Sequence, residues 1–408
     1  MKSLRIGLVA LLFSWNFISC GPTEIHQLTD FNLSLNLDFT KGSLPAGVAY
    51  ARSGSATVTN SAGLLTIVGA DVPRFDYDPI TLAPKGILIE GSRTNFLLQS
   101  TTFASPWLLA SAFSVESAAI SPDGTLNATK VGSTGSTFSD RGFTYAFTTL
   151  GNTYTLSVYA KAEVYNGLEL QIKGGTGNAR FNLKSGTVTT LVDGKAGIEP
   201  VGNGWYRCWV TSASSMIGEV VLQIMAWDSA IATPNGAGGI YVYGPQMEVG
   251  SFATSYIPTL TMAVTRNADD VNLSNVAWFS RTAGTILATF RQLQVGGVGP
   301  TGINGIYEIA NLRAGAGSNF TQVLQRGTSV KAELTSRTKI AGSYNVATIA
   351  GTANGGVVSS ASDETPITLP TNLVLGKGSG VDYLNGHLES FSFYPYQAVT
   401  ADLRSLTN

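Results

Sequence analysis

The stretch Thr153-Tyr-Thr-Leu-Ser-Val-Tyr159 decides the fold class of this chain of 408 residues. Its residues Tyr154, Leu156 and Val158 alternate with neighbours that point the other way, so an extended strand here has one apolar face. Residues 168–173 repeat the alternation, with Leu or Ile at the even positions and Glu, Gln and Lys between them. This period of two predicts short strands that are buried on one face, as in a β-sandwich.

The composition of the whole chain agrees with an all-β fold. It contains 46 Gly, 18 Phe and 15 Tyr, while charged residues make up only 12%. Such a composition favours strands and turns over helices. The final stretch Thr400-Ala-Asp-Leu-Arg-Ser-Leu406 is the one predicted helix, with Thr400 as its N-cap and Leu403 and Leu406 on one face.

Strand and turn segments divide the chain into two predicted sandwiches. Residues 1–19 precede a tether and extended collar at 20–98, and the first sandwich follows at 99–262. A polar linker, Arg266-Asn-Ala-Asp-Asp270, leads into the second sandwich at 263–408. The predicted fold is therefore all-β, with two antiparallel β-sandwiches after an extended N-terminal collar.

The N-terminus has the pattern of a bacterial export signal. Two basic residues precede the apolar run 6–13, and Ile18-Ser-Cys20 follows as a cleavage site. The run is shorter than the roughly 20 residues of a membrane-spanning helix. Cys20 resembles the lipidated cysteine of bacterial lipoproteins, although Phe17 departs from their usual Leu. We expect 1–19 to be a signal peptide and Cys20 a lipid anchor; the alternative is an apolar N-terminus that docks on a virion partner.

Charge and cysteine content exclude two classes of protein. The formal net charge is -1 and no run of Lys or Arg occurs, so no basic surface for nucleic acid is expected. Cys20 and Cys208 are the only cysteines, which excludes a disulfide framework. We expect Cys208, within a strand, to be a buried and inert thiol.

The sequence contains no recognisable catalytic arrangement. Neither of its two histidines, His26 and His387, has a nucleophile context, and His387 is predicted to be a packing or turn residue. Asp363 and Glu364 are neighbours in the sequence. The paired carboxylates of concanavalin A-like glycosidases instead lie on alternate residues of one strand, so that they share a face. Asp123-Gly124 and Asp140 are the nearest candidate ligands for a structural calcium ion, but no calcium-loop pattern supports them and no cofactor is assigned.

Aromatic side chains are the remaining candidates for a functional site. Sugars stack their C–H faces on Trp and Tyr and bond their hydroxyls to polar side chains. Trp205, Arg207 and Trp209 share one face of a predicted strand, which we expect to be half exposed. The other candidates are Trp107, Trp227, Tyr241, Tyr243 and Trp278. Each is also a natural core residue of a sandwich, so the sequence leaves both interpretations open.

Several segments resemble tail and head-spike fibre proteins of tailed phages and prophages. They are Gly42-Ser-Leu-Pro-Ala-Gly47, Arg52-Ser-Gly-Ser-Ala-Thr57, Pro73-Arg-Phe-Asp-Tyr-Asp-Pro79, Gly86-Ile-Leu-Ile-Glu-Gly-Ser-Arg-Thr-Asn95, Leu97-Leu-Gln-Ser100, Gly244-Pro-Gln-Met-Glu-Val-Gly250 and Ser255-Tyr-Ile-Pro-Thr259. The last module resembles concanavalin A-like, laminin-G-type folds at Leu384-Asn-Gly-His387, Phe393-Tyr-Pro-Tyr396 and 403–407. The resemblance covers most of 40–408. It implies a carbohydrate-binding-like jelly roll at 99–262 and a concanavalin A-like module at 263–408.

This resemblance implies a non-catalytic surface or virion protein that binds polysaccharide or a cell-surface glycan. The implied partners are other fibre or virion subunits, including a homotrimer, and contact with a membrane would come only through the lipid anchor. The export signal departs from the family, because phage fibres assemble in the host cytoplasm; it points to a cell-surface or outer-membrane lipoprotein adhesin of prophage origin. Two alternatives stay open, a glycan-degrading depolymerase and a purely architectural protein without a ligand.

The charged residues of the collar have two interpretations. They are Arg74, Asp76, Asp78, Glu90 and Arg93. They are expected to pair with one another and cap turns where apolar area is scarce. The second interpretation is that they form subunit contacts in a trimeric fibre.

Overall fold

The computed structural model describes residues 32–134, 142–173, 177–227, 237–293, 304–316, 320–333, 335, 337–378 and 382–408. These residues form 31 strands and one short helix, so the predicted all-β class is confirmed. The predicted signal peptide, Cys20 and Asp140 lie outside them. None of the described helical residues belongs to a helix long and apolar enough to cross a membrane.

Seven short strands lie in the N-terminal collar. They are β1 (Leu35–Asp38), β2 (Val48–Ala51), β3 (Ala56–Thr59), β4 (Leu65–Val68), β5 (Phe75–Tyr77), β6 (Pro84–Ile89) and β7 (Arg93–Asn95). Strands β3 and β4 form a two-stranded hairpin, and β7 pairs with a strand that follows the first sandwich.

Twelve strands build the first sandwich. They are β8 (Leu108–Ala110), β9 (Ala112–Ile120), β10 (Leu126–Ser133), β11 (Gly142–Asn152), β12 (Tyr154–Ala162), β13 (Gly167–Lys173), β14 (Asn178–Asn182), β15 (Thr187–Asp193), β16 (Lys195–Pro200), β17 (Trp205–Thr211), β18 (Met216–Trp227) and β19 (Ile240–Val249). They form two six-stranded antiparallel sheets: sheet I, in the order β16-β17-β12-β19-β10-β9, and sheet II, in the order β15-β14-β13-β18-β11-β8.

The sheet order of the first sandwich is that of a jelly roll. Its eight central strands in chain order are β10 to β14 and β17 to β19. Numbered one to eight, these strands have the order 1-8-3-6 in sheet I, which is β10-β19-β12-β17. In sheet II their order is 2-7-4-5, which is β11-β18-β13-β14. Two interleaved Greek keys produce this order, and the jelly roll predicted for this part of the chain is confirmed.

The period-two pattern that predicted the strands also places their core. Leu156 and Val158 of sheet I and Leu168 and Leu170 of sheet II are all 0% exposed and pack in one cluster between the sheets. Ser157, on the other face of β12, is also buried at 1% exposure. The outward face of sheet I is therefore covered as well.

The remaining strands belong to the second sandwich and its entry. They are β20 (Val264–Arg266), β21 (Asp270–Leu273), β22 (Gly284–Gln292), β23 (Asn304–Ile309), β24 (Leu312–Ala316), β25 (Phe320–Gln325), β26 (Ser329–Glu333), β27 (Arg337–Tyr344), β28 (Thr348–Ala353), β29 (Ser359–Ser362), β30 (Leu373–Leu375) and β31 (Gly386–Tyr394). Strands of the collar complete both sheets, because β1, β5 and β6 join the sheet around β31, and β2 joins the sheet around β30. The predicted boundaries at 98/99 and 262/263 stay predictions.

The predicted C-terminal helix is present as α1 (Thr400–Thr407), and Leu403 and Leu406 are its buried apolar residues. The prediction that Thr400 caps it is wrong. Val399 occupies the N-cap position and no side chain caps the helix. Its apolar contacts with the second sandwich stabilise it instead.

Candidate functional site

Strand β17 turns its side chains alternately to the core and to the outward face of sheet I. Cys208 and Val210 are fully buried in the core between the sheets. Trp205, Arg207 and Trp209 therefore lie on the outward face, as predicted. Burial raises the pKa of the Cys208 thiol, which keeps it protonated, in agreement with the predicted inert cysteine.

The expectation that this face is half exposed is wrong at Trp205 and at Trp209, which are both buried. Trp205 is 2% exposed, and its indole nitrogen donates a hydrogen bond to the carbonyl oxygen of Ile120 at 3.0 Å. It packs with Tyr159, Tyr243 and Tyr256 in a second apolar cluster, against which hairpin strand β4 also packs. Trp205 therefore has no ring face free for a sugar.

The two tyrosines of β19 lie beside the same cluster. Tyr241 is half-buried at its edge. Tyr243 is 4% exposed, and its hydroxyl donates to Oδ2 of Asp123 at 2.9 Å. Asp123 also accepts hydrogen bonds from the side chains of Ser121 and Thr125, so donors surround a carboxylate that was a calcium candidate. Among the described residues no group of three or more His, Cys, Asp or Glu side chains is placed to hold a metal ion.

A cleft of about 310 Å³ lies next to this cluster, between the outward face of sheet I and the collar. Trp209 and Arg207 of β17 and Glu199 of β16 form one wall. Asp76 of β5 and Lys85 of β6 form the opposite wall. The volume falls at the lower end of the range of small-molecule pockets, and the cleft lies between two packed parts of the chain, where such pockets are common.

Arg207 enters the cleft with most of its donors unused. One terminal nitrogen donates to Oγ of Ser157 at 3.1 Å, and the guanidinium carbon lies 5.4 Å from the ring centroid of Tyr159. Its Nε is buried without a hydrogen-bond partner, and no described carboxylate forms an ion pair with it. Beside it Trp209 is 8% exposed, and its indole lies against Gly197, where any side chain would collide with the ring.

Glu199 is a charged residue of the cleft that the sequence analysis did not single out. It lies directly opposite Arg207 in the pairing of β16 with β17. Its side chain is exposed at the cleft mouth, and its carboxylate makes no ion pair or hydrogen bond with another described side chain. Loss of water on the side that faces the cleft raises the pKa of its carboxyl group, although Arg207 and Lys85 oppose the shift.

Asp76 on the opposite wall uses both carboxylate oxygens in hydrogen bonds. Its Oδ2 accepts hydrogen bonds from Nε2 of His387 at 2.7 Å and from Nζ of Lys85 at 3.1 Å, and its Oδ1 accepts one from the Thr59 amide at 2.8 Å. Burial alone would raise the pKa of Asp76, but the hydrogen bond from His387 and the charge of Lys85 hold it well below its usual range. Burial lowers the pKa of His387. The pair is therefore a carboxylate and a neutral imidazole.

Five charged side chains near the cleft form what we call the charged junction. Arg74 donates to Oε2 of Glu90 at 2.6 Å and also pairs with Asp269. Arg266 pairs with Glu90, and Arg52 lies 3.4 Å from Asp269. All five side chains are 0% exposed. The predicted internal pairing of collar charges is confirmed for Arg74 and Glu90, and side chains so buried do not supply an outer surface for subunit contacts.

The remaining candidates are scattered. Trp107 is buried and donates to the carbonyl oxygen of Leu98 at 2.8 Å, while Trp278 packs on Phe391 and Phe393 of the second sandwich. Trp227 is half-buried on the outward face of sheet II, whereas β17 belongs to sheet I.

Asp363 is also accounted for structurally. It accepts hydrogen bonds from the amides of Gly327 and Thr328 at 2.8 Å each. It also forms an ion pair with Arg326 at 3.1 Å. These contacts fix a loop of the second sandwich.

No protein-family model and no curated protein matches the chain. Among solved structures, the CBM40 domain of a Ruminococcus gnavus IT-sialidase bound to α2,3-sialyllactose is similar, with 14% identity and a TM-score of 0.28 over 34% of this chain and 92% of that one. Domains LG4-5 of the mouse laminin α1 chain have 10% identity and a TM-score of 0.24 over 64% of this chain and 88% of that one.

A structure of botulinum neurotoxin type C, whose cell entry depends on two ganglioside molecules, has 13% identity and a TM-score of 0.27 over 35% of this chain and 40% of the toxin chain. All three likenesses are to chains of low identity and low score. They identify no family.

Proposed function

We propose that this chain is a non-catalytic carbohydrate-binding protein whose cleft at Arg207 and Glu199 holds the saccharide. One observation carries the proposal: two charged groups with unused hydrogen-bonding capacity face each other across neighbouring strands, beside the ring of Trp209. In the charged junction, by contrast, arginines and carboxylates are paired with one another. The unpaired groups are therefore available to a ligand.

The chemistry of these groups fits a polyhydroxylated ligand. A guanidinium only donates hydrogen bonds and a carboxylate only accepts them, while each sugar hydroxyl does both. Vicinal hydroxyls can therefore bond Arg207 and Glu199 together, and the apolar edge of a sugar ring can contact Trp209. The aromatic platform first expected at Trp205 is replaced by this mixed polar and aromatic wall.

A second candidate function, glycan hydrolysis, is favoured by one observation. The cleft contains two carboxyl groups whose pKa values shift in opposite directions, Glu199 upward and Asp76 downward, which is the requirement of an acid and a nucleophile or base. Asp76, however, already accepts three hydrogen bonds from His387, Lys85 and Thr59. A carboxylate held in this manner suits a structural role better than attack on a sugar, so binding without cleavage is the preferred function.

The test is a glycan-array screen of the full chain, with a reducing-sugar assay on each polysaccharide that binds. We expect specific binding without release of reducing ends, and a loss of roughly tenfold or more in affinity for Arg207→Ala, as for a lost charged hydrogen bond. Lys184→Ala, an exposed change in a turn of the same sandwich, is the matched control and should bind like the wild type. Binding that is equal in Arg207→Ala would contradict the cleft, and sugar release would favour the depolymerase.

We also propose that the chain acts at a bacterial or virion surface, as a fibre-type or lipoprotein adhesin. The support is the resemblance of its collar motifs to phage fibre proteins and the export pattern of residues 1–20. Mass spectrometry of the protein from a bacterial host should find a lipid on Cys20, and light scattering should find a trimer. An unprocessed N-terminus would contradict the anchor, and a monomer at micromolar concentration would contradict the fibre.

A further inference from the structure

The outward face of sheet II carries a row of polar side chains that the cleft does not use. In the pairing of β13 with its neighbours, Glu169 lies opposite Arg180 of β14, and Gln171 lies opposite Gln223 of β18. Opposite residues in an antiparallel sheet point to the same side. Because Leu168 and Leu170 face the core, this row faces away from it.

Trp227 holds the arginine of this row in place. The indole lies on Gly167, where a side chain would collide with the ring, and the Arg180 guanidinium carbon lies 5.1 Å from the ring centroid. Nε of Arg180 donates to Oε2 of Glu169 at 2.8 Å, and Gln171 donates to the other oxygen of Glu169 at 2.5 Å. Two contacts thus fix the guanidinium before any ligand arrives, which lowers the entropic cost of binding.

Hydrogen-bonding capacity is left over at both ends of the row. The terminal nitrogens of Arg180 have no partner among the described residues, and its side chain is 40% exposed. At the other end Oε1 of Gln223 is buried without a partner, in a residue that is only 4% exposed. An unpaired buried oxygen is costly, so a ligand that donates to it would remove that cost.

We infer that this outward face, formed by Arg180, Gln223 and Trp227, is a second saccharide-binding surface that takes an uncharged glycan chain. The face offers unused donors at Arg180 and an unused acceptor at Gln223. Hydroxyls satisfy both, whereas a carboxylate or sulfate group only accepts and can therefore bond Arg180 alone. The row crosses three neighbouring strands, which suits an extended chain better than a single sugar.

Two surfaces on one jelly roll would bind a polymeric glycan more tightly than either surface alone, because the second contact becomes intramolecular. This consequence rests on the proposed function of the cleft, but the surface on sheet II does not. Its own variants test it separately.

The experiment compares the full-length wild type, Arg180→Ala, Gln223→Met, Arg207→Ala and the Arg180→Ala/Arg207→Ala double variant. The probe is a glycan array that carries neutral oligosaccharides and their uronate counterparts, with Lys184→Ala as the control and circular dichroism as the check on folding. Gln223→Met keeps the bulk of the side chain and removes the amide, so it tests the surface even if Arg180→Ala weakens the fold by leaving Glu169 unpaired.

We expect each sheet II variant to bind neutral glycans about tenfold more weakly at high array density, and the double variant to lose binding. Folded Arg180→Ala and Gln223→Met proteins that bind like the wild type would overturn the inference and leave the cleft proposal standing. Loss of binding in the sheet II variants with none in Arg207→Ala would support the surface and overturn the cleft. A loss confined to uronates would overturn the assigned class of ligand.

Discussion

Arg74 in the charged junction and Arg207 in the cleft are the same residue type in opposite surroundings. The side chain of Arg74 is 0% exposed and pairs with both Glu90 and Asp269. Arg207 reaches a cleft, bonds one serine hydroxyl and leaves Glu199, its cross-strand neighbour, without an ion pair. Both arginines belong to the part of the molecule where the collar meets the other strands.

We propose that this difference separates structural charges from ligand-binding ones. A buried ion pair that is fully bonded holds chain segments together. Removing one partner leaves the other as an unpaired charge in the interior. Charges that have room and no partner contribute little to stability, and a cleft that contains them is a candidate ligand site. The four predictions below test whether the junction and the cleft differ in this manner.

The largest expected effect is that of Arg74→Ala. It leaves Glu90 and Asp269 buried with fewer cations to pair with, and we expect the free energy of unfolding to fall by about 5 kcal/mol. Urea denaturation followed by circular dichroism measures it. Arg207→Ala is the matched variant and should change stability by less than about 1 kcal/mol. Similar losses for the two arginines would remove the distinction between the regions.

Trp205→Ala tests the covered outward face of sheet I. The indole is 2% exposed and makes a hydrogen bond to Ile120, so its removal leaves a cavity and should cost about 3–4 kcal/mol of unfolding free energy. Differential scanning calorimetry checks this value. Normal stability combined with lost glycan binding would instead make Trp205 a ligand platform, as the sequence first suggested.

Acid should weaken the contacts that Asp76, Glu90 and His387 make in the folded chain. The folded-state pKa values of Asp76 and Glu90 lie below their ordinary values, so their stabilisation is present above about pH 5 and is lost as the pH falls through the acidic range. His387, whose ordinary pKa is 6.5, has its pKa lowered in the fold. Its unfolded form therefore takes up a proton first, and stability begins to fall near that pH.

Thermal melts of the full chain between pH 7.5 and pH 4 check this sign. We expect Tm to decrease continuously from about pH 6.5 downward. His387→Gln should move the onset of the decrease to lower pH, because only the carboxylates then titrate. A Tm that is constant or rises towards pH 4 would show that these groups do not control stability.

The smallest expected effect is that of Glu199→Gln. Loss of bulk water raises the pKa of Glu199, so its ionised form is slightly unfavourable in the folded state at pH 7. The neutral amide should raise stability by a few tenths of a kcal/mol, up to about 0.5. Glu90→Gln, the control in the junction, should lower it, because Arg74 and Arg266 then lose their charged partner. Chemical denaturation at pH 7 compares the two, and a clear loss in Glu199→Gln would place Glu199 with the structural charges.

The local alternation of apolar and polar residues was enough to predict the strands and which face of the sheet each side chain occupies. The alternation at 153–159 predicted which residues of β12 face the core, and the same period on β17 placed Trp205, Arg207 and Trp209 together. It could not say what lies over the opposite face, because the hairpin of β3 and β4, at 56–68, is distant in sequence from Trp205. The error at Trp205 has this cause.

The cleft itself depends on distant pairing and was not predictable from local pattern. Glu199 belongs to a short strand without clear alternation, and its position opposite Arg207 follows from the register of β16 with β17. Asp76 meets His387 across 311 positions of the chain. A single sequence reports which residues are polar, but not which of them meet, so the pairing of collar strands with β31 also stayed hidden.

The most direct measurement is a crystal structure of the full chain bound to the neutral oligosaccharide that binds best on the array. The cleft proposal predicts a sugar within hydrogen-bond distance of Arg207 and Glu199, with its ring beside Trp209 and the junction unchanged. A bound sugar elsewhere, with no density in the cleft at saturating ligand, would contradict the conclusion that the unpaired charges of the cleft form the binding site.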